Sequence, residues 1–554
     1  VQLVVNAINQ LLGNYGNTII TSRTLNTKQG IDAEFESFLA GLKNKNIAGV
    51  LCWGVNPVYN HPAGKEIKAA LEGLELSVAF ADRPDETTAA CHWVCPEPHY
   101  LESWNDAEPV TGSFSLAQPA ISKLFDGRQV QELLLKWSGE TATNYYDFLR
   151  KNWEDNFTGI QSELRNPRDF WNDSLQKGVF ESSVTNSELT YSDNGLAQAV
   201  SSLKPSTKTG WEVVFYESVA LGGGLHANNP WLHELPDPVA KVSWDNFAAV
   251  PVKWAGENGL KDESVITVNG MELPVIVQPG QAEGTISVAL GYGREIAGKV
   301  GNGVGKNVFP LVQFENNNRK YWLAGADVKT TGKTFDLAIS QTHHSMEGRP
   351  IVREATFDEW KIDPAAGNAL KKEHEAHAHT LYPEVEFKGH HWGMAVDLTS
   401  CTGCSNCSVS CQAENNIPVI GKEQVRNRRI MHWIRIDRYY SNNAENPEVF
   451  HQPVMCQHCD NAPCENVCPV SATPHSEEGL NQMAYNRCVG TKYCVNNCPY
   501  KVRRFNWFQY VKNDDFDFAS NSDLGRMVLN PDVTVRSRGD RKSTRLNSSH
   551  VSES

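Results

Sequence analysis

Residues 401–411 read CTGCSNCSVSC, residues 456–469 read CQHCDNAPCENVCP and residues 488–499 read CVGTKYCVNNCP. Eleven of the chain's 14 cysteines fall in these three bursts. Cys401, Cys404, Cys407 and Cys411 are spaced C-x2-C-x2-C-x3-C. Cys456, Cys459, Cys464 and Cys468 are spaced C-x2-C-x4-C-x3-C before Pro469, and Cys488, Cys494 and Cys498 precede Pro499. This is the ligand grammar of iron–sulfur clusters held on bacterial ferredoxin-like loops. A cubane needs thiolates at the corners of a tetrahedron, and three cysteines on one tight loop wrap three of them. The fourth comes from elsewhere: in two-cluster ferredoxins the last cysteine of each run goes to the other cluster. The proline after it stops the chain from continuing as a helix. Structural zinc sites usually show separated C-x2-C pairs or Cys with His. Disulfide frameworks do not space three bursts in this way.

The third burst departs from the pattern. Where the ferredoxin run has its second cysteine, this chain has Thr491. A neutral hydroxyl is a poor iron ligand beside thiolates, because softness favours sulfur. The expected product is a [3Fe–4S] cluster. The exchange rule pairs Cys488 and Cys494 with Cys468 for that cluster, and Cys456, Cys459 and Cys464 with Cys498 for a full [4Fe–4S]. Cys401, Cys404, Cys407 and Cys411 then remain, three for another cluster and one to donate elsewhere.

The remainder of the chain sets the frame. A length of 554 residues predicts three or four domains. A composition of 40% hydrophobic and 21% charged residues is that of an ordinary globular protein. The net charge of −14 argues against nucleic-acid binding. No run of 18 apolar residues predicts a membrane span, so membrane contact is expected through a partner. Val1 is not an initiator methionine, and the apolar opening implies a lost upstream part. Asp540–His550, DRKSTRLNSSH, resembles the translation of a sequencing adaptor, so residues 540–554 are expected to be foreign.

In order, residues 1–145 alternate helical and strand-like pieces, an α/β layer. Ala7–Ile19 reads as a helix ending in a Gly/Asn turn and Ile47–Pro62 as a strand and loop. Glu66–Phe80 reads as a helix then a strand, and Lys123–Trp137 as a helix. Residues 146–245 read as an insertion of helices and loops with one strand at Trp211–Ala220. Residues 246–360 are β-rich. Gly291, Gly293, Gly298, Gly301, Gly303 and Gly305 there would let backbone approach a phosphate, without a nucleotide-binding fingerprint; flexible turns explain them equally well. Residues 361–390 form a polar linker whose His374, His377, His379, His390 and His391 are expected to be solvated. Residues 391–539 form the cluster domain, with Ala395–Cys401 a strand and Ser408–Asn416 a short helix. Its strand–loop–helix unit repeats at each burst. Lys422, Arg426, Arg428, Arg429, Arg435 and Arg438 read as a solvated basic face, with docking of an acidic partner or offsetting of cluster charge as the alternative. Cys91 and Cys95, spaced C-x3-C around His92, admit a ligand role but read rather as core thiols, as does Cys52, with His92 and His99 structural.

LLGNYG, GVNPVYNHP, TTAACHWVCPEPHYLESWND and NPWLHELPDPVAKVSWDN resemble the later half of the molybdopterin oxidoreductase superfamily. The fold this implies is multidomain α/β plus α+β: α/β and β-barrel domains of that type, then a ferredoxin-like iron–sulfur domain. With the fused cluster domain, TSCTGCSNCSVSCQAENNIPVIGKEQV, MHWIRIDRYYS and Thr491, most of 1–539 resembles the iron–sulfur subunit of alternative complex III, a bacterial quinol:electron-acceptor oxidoreductase. The resemblance implies a fourth cysteine burst beyond Val533–Gly539, four clusters, and no molybdenum cofactor. It also implies a peripheral position on the periplasmic side of the inner membrane, an integral membrane quinol-binding subunit and a multihaem cytochrome c subunit. The three-iron cluster would lie nearest the quinol. Rival readings are a molybdopterin-dependent oxidoreductase of polysulfide or formate type fused to its electron-transfer domain, and a zinc-stabilised interaction module.

Overall fold

The computed structural model describes residues 2–27, 29–140, 144–161, 163–184, 191–202, 209–315, 317–383, 385–441, 446–484, 487–507, 530 and 542–544. The chain divides into two compact units, Val1–Thr209 with Val312–Lys320, and Gly210–Leu311 with Tyr321–Ser554.

The first unit holds two cores. One is a parallel sheet in the order Gly49–Trp53, Leu76–Ala81, Trp93–Pro96. Helices Asp32–Lys43 and Gly64–Glu72 supply Leu39, Leu42, Ile67 and Leu71 to it, against Val50, Cys52 and Ala79 of the strands. The i, i+4 spacing of Ile67 and Leu71 puts both on the buried face. The second core is aromatic. Helices Tyr145–Asn156 and Pro167–Lys177 bury Leu149, Trp153, Phe170 and Trp171 beside an antiparallel sheet of Asn105–Val110, Ser113–Ala117 and Val179–Glu181. Asn144 caps the first helix by accepting from the Asp147 amide at 2.8 Å, and Gly178 ends the second in the left-handed region at φ 73°. Two helices are shorter than the sequence predicts. Gln2–Leu11 stops before Gly13, whose φ is +65°. Val130–Ser138 starts after Gly127, which packs against the Pro96–Pro98 backbone.

The second unit is built on seven strands in the order Trp322–Ala326, Trp211–Glu217, Thr285–Leu290, Ala248–Val250, Met271–Val277, Ser264–Val268, Val328–Thr334. The two edge strands follow one another in the chain across Asp327, so one extended segment closes the sheet as a barrel. Val213, Ala248, Ile266, Val268, Leu273, Val275, Ile286 and Val288 fill its interior, with apolar residues at alternate positions of Trp211–Glu217 and Thr285–Leu290. Phe357–Ile362 and Ala369–Ala376 are short exposed helices at and within the expected linker.

The cysteine-rich part comprises the helix Asn406–Glu414, a hairpin of Arg435–Tyr440 with Val449–Val454, and single-turn helices Pro463–Asn466 and Tyr493–Asn497. Ala395–Cys401 is not a strand. Asp397 folds it into a turn by accepting from the Thr399 amide at 3.0 Å and the Ser400 hydroxyl at 2.7 Å, which removes the extended backbone a ladder needs. Within the expected foreign tail, Lys542–Thr544 pairs antiparallel with Arg504–Asn506, and the rest lies outside the described residues, as does the region expected to precede a fourth burst.

Candidate metal centres

Each cysteine loop turns through left-handed backbone just before its helix. Gly403 (φ 71°) and Ser405 (φ 62°) flank Cys404, and Gly490 (φ 76°) and Lys492 (φ 63°) flank Thr491. Thr491 therefore occupies the turn position that Cys404 fills in the first burst. Ser405 and Lys492 are the residues that open Asn406–Glu414 and Tyr493–Asn497, so the turn delivers Cys407 and Cys494 on the first turn of a helix. In the second burst His458 (φ 46°) takes the corresponding place and Pro463 opens the helix that carries Cys464.

The thiols of the second and third bursts ring two cavities. Cys456, Cys459, Cys464 and Cys498 line one of about 330 Å³, together with Asn481 and Arg503. Cys468, Cys488 and Cys494 line another of about 350 Å³, with Thr491 and Met483. The last cysteine of each run thus faces the cavity of the other. Among the described residues no three His, Cys, Asp or Glu side chains converge as closely as a single metal ion needs, and none of the 14 cysteines is joined in a disulfide.

Burial pushes the Cys456 thiol up, with the Cys464 and Cys498 charges adding to it and Arg503 opposing. Burial likewise raises Cys459, and the charge of Cys456 adds to it. Thiols so placed stay protonated until a positive centre between them stabilises the thiolates, which is what an iron core supplies.

The first burst stands apart from both cavities. Cys404 and Cys407 are exposed, while Cys411 is packed beside Ile417, Met431, Trp433 and Met455, and burial pushes it up to about 11. Cys456 packs against the same core. On the other side of this loop, Gly403 abuts the His451 ring, and Arg438 is the cross-strand partner of His451. Lys241 Nζ, Arg438 Nη1 and His451 Nδ1 are buried there without a hydrogen-bond partner among the described residues. Burial pulls Lys241 down to about 8, and the nearby charges of Asp237 and Cys401 oppose that shift. Orphaned donors on one side of a thiol loop fit an anionic, sulfur-rich group better than an empty core.

One expectation is corrected. The basic run is more than a solvated face: Arg426 and Arg428 are exposed, yet every cation of the run has a partner. Lys422 pairs with buried Asp245 at 2.6 Å, Arg426 with Asp336 at 2.7 Å, and Arg435 with Asp437 at 2.9 Å. Arg428 donates to the Ile339 carbonyl at 2.7 Å, Arg438 to that of Val239 at 2.7 Å, and Arg429 lies over Trp507. Lys422, Arg426, Arg428 and Arg438 tie the cluster domain to residues 239–245 and 336–339, while Arg429 and Arg435 are held within it. Of the two readings of the glycine-rich stretch, close packing at several of its glycines favours turns over an open cradle. A side chain at Gly293 would strike the Asn307 amide, one at Gly301 the Ala227 carbonyl and one at Gly291 the Gly222 carbonyl. The small residues there admit the chain's own backbone.

The other sequence candidates lie elsewhere. Cys52 and Cys91 belong to the parallel-sheet core and Cys95 to its third strand. His99 accepts from the Leu101 amide at 3.3 Å. His374, His377, His379, His390 and His391 are exposed, with His391 stacked on Phe387 and 3.6 Å from Asp460. Glu234, Lys241, Asn481 and Arg503 carry no spacing signal and emerge only from packing. Glu234 is wholly buried and accepts from the amides of Ile420 at 3.0 Å and Gly421 at 2.9 Å.

Two family models, each described as a 4Fe-4S dicluster domain, match residues 400–472 and 447–514. The iron–sulfur cluster-binding subunit of menaquinone reductase from Nitratidesulfovibrio vulgaris is 39% identical over 153 residues, 27% of this chain and 55% of that protein. Iron–sulfur subunit 1 of an Hdr-like menaquinol oxidoreductase from Archaeoglobus fulgidus is 30% identical over 172 residues, 28% of this chain and 58% of that one. The iron–sulfur subunit of the arsenate respiratory reductase of a Shewanella species is 35% identical over 139 residues, 25% and 55% of the two chains. The chain spans about half the length of these relatives. Acetylene hydratase from Pelobacter acetylenicus aligns over 53% of this chain and 46% of its own at 12% identity, with a TM-score of 0.36, too low to argue from. The matches show dicluster-type iron–sulfur domains within residues 400–514, which support [4Fe–4S] clusters, in a chain related to reductase iron–sulfur subunits. No helix among the described residues is long and apolar enough to cross a membrane.

Proposed function

We propose that the chain is the electron-transfer iron–sulfur subunit of a membrane-bound, quinol-oxidising respiratory complex of the alternative complex III type. The observation that carries this is the pair of cavities with crossed cysteines, one ringed by four thiols and the other by three thiols and Thr491. Cys456, Cys459, Cys464 and Cys498 hold a [4Fe–4S] cluster; Cys468, Cys488 and Cys494 hold a [3Fe–4S] cluster. Cys401, Cys404, Cys407 and Cys411 serve further clusters completed outside the described residues. When bound, such clusters take up and release single electrons, which suits a donor such as quinol that yields two. The protein's own part is to fix the thiols, exclude water and set the charge around each site. No substrate-converting residues are assigned.

The partners are an integral membrane subunit that binds quinol and a multihaem cytochrome c, on the periplasmic side. The packed glycine stretch supports a molybdopterin-like region, residues 1–145 and 246–360, that works without a molybdenum cofactor. The test is the complex purified from membranes. Quinol added anaerobically should bleach the three-iron EPR signal while metal analysis finds iron and haem but no stoichiometric molybdenum. Molybdenum or tungsten at one per complex would favour the molybdoenzyme instead, and a colourless zinc protein would end both readings.

A further inference from the structure

Arg503 is 3% exposed, and its guanidinium stands in the wall of the four-thiol cavity. One terminal nitrogen donates to Asn481 Oδ1 and lies 3.5 Å from Cys464 Sγ. The other lies 3.8 Å from Met483 Sδ, and Met483 lines the three-thiol cavity. The cation therefore sits between the two sites, with its hydrogen bond on one of them. Asn481 is held in turn, donating from Nδ2 to the Thr473 carbonyl at 3.1 Å and from its amide to His458 Nδ1 at 2.9 Å. Thr473 closes the circuit, donating to the Cys464 carbonyl at 3.1 Å. The arrangement is rigid and points the guanidinium at one cysteine sulfur.

Arg503's partners among the described residues are an amide and two sulfurs, none of them a carboxylate. A buried guanidinium without a counter-charge costs several kcal/mol. Arg435, by contrast, has Asp437 at 2.9 Å. An iron–sulfur cluster held by four thiolates carries net negative charge, which grows on reduction, and hydrogen bonds to its sulfurs raise its potential.

We propose that Arg503 is the built-in counter-cation of the cluster held by Cys456, Cys459, Cys464 and Cys498, and that through its contact with Cys464 it holds that cluster's reduction potential above the value the four thiolates alone would give. This rests on the reading of those four cysteines as cluster ligands. It makes Arg503 a positioning and tuning residue that distinguishes one site from the other, since the three-iron site meets the same cation only across Met483.

The experiment is an EPR-monitored potentiometric titration of the full chain with clusters assembled anaerobically, with iron and sulfide counted in every sample. In Arg503→Gln, which keeps an amide donor and removes the charge, the reduction equilibrium of the four-iron cluster should move about tenfold toward the oxidised form, ~59 mV lower. Arg503→Lys keeps the charge and should move it less than threefold. The three-iron signal should shift less than the four-iron signal in both. An unchanged four-iron potential in Arg503→Gln at full iron content overturns the proposal, as does an equal shift of both clusters. Should Arg503→Gln not retain iron, resonance Raman of Arg503→Lys decides. A displaced iron–cysteine stretching band supports the contact with Cys464, and an unchanged one overturns it. A parent chain that takes up no iron fails at the cluster reading itself, which the iron count shows before any potential is measured.

Discussion

Replacing Thr491 by cysteine should convert the three-iron site to a four-iron site. The structure says why little else need change. The two cavities are alike in size, about 350 and 330 Å³, so the three-thiol site does not lack room. Residue 491 sits between Gly490 at φ 76° and Lys492 at φ 63°, as Cys404 sits between Gly403 at φ 71° and Ser405 at φ 62°, so a cysteine there meets a turn already used by a cysteine. The substitution deletes one methyl group and exchanges oxygen for sulfur, a packing loss of at most about 1 kcal/mol. Against it stands a fourth thiolate, the ligand iron prefers to a hydroxyl. Iron content should rise by about one atom per chain, and the change of cluster type should lower the site's potential by more than ~59 mV, a factor of ten. The assay is EPR of the oxidised protein beside iron analysis. An oxidised three-iron cluster is paramagnetic and an oxidised four-iron cluster is not, so the signal should vanish and a new one appear on reduction. An undiminished signal at unchanged iron content would refute the assignment of Thr491 to the vacant corner.

Other consequences concern the scaffold. Burial pushes Glu234 up to about 7 from an ordinary 4.5, so the folded chain holds that proton more tightly than the unfolded chain. Its stabilising contribution is full below about pH 4.5 and is lost as pH rises through about 7, roughly 3 kcal/mol in all; Glu234→Gln should flatten that slope in denaturant titrations between pH 5 and 8, and an unaltered slope would show that the carboxylate is ionised throughout. Gly293→Ala should cost more than ~2 kcal/mol, since φ is +70° and the new carbon meets the Asn307 amide, whereas Gly303→Ala, at φ +72° with open space around it, should cost only the ~1–2 kcal/mol of left-handed backbone. Equal denaturation midpoints for the two variants would contradict the packed-loop description. Trp153 is fully buried and donates to Asp106 at 2.9 Å, so Trp153→Ala should remove about 3–5 kcal/mol from the first unit, read as a lower melting temperature.

The cluster loops are legible in the sequence because their chemistry is local. Thiol spacing within a dozen residues, a following proline and a turn position taken by threonine are all properties of contiguous sequence. Barrel strands such as Trp211–Glu217 are visible as alternation for the same reason. What stays hidden depends on distant partners. The run from Lys422 to Arg438 looks like a solvated face in one dimension; its carboxylate partners Asp245 and Asp336 are far away in sequence. Glycines 291 to 305 look like a phosphate cradle until the backbone of Ala227 and Gly222 is found against them. Arg503, one basic residue in KVRRFNW, is distinguished from Arg504 only by what surrounds it: Cys464 and Asn481 for one, the His432 carbonyl at 3.0 Å for the other. Ala395–Cys401 reads as a strand leading into the first loop, while Asp397 decides the backbone through its own hydrogen bonds.

The central claim is that the third burst is divided between two clusters, and a pair of serine variants tests it most directly. Cys488→Ser and Cys498→Ser, ten residues apart on the same loop, should damage different centres. The account predicts that oxidised Cys488→Ser loses the three-iron EPR signal and keeps the four-iron signal on reduction, while Cys498→Ser does the reverse. Loss of the same signal in both variants would contradict it.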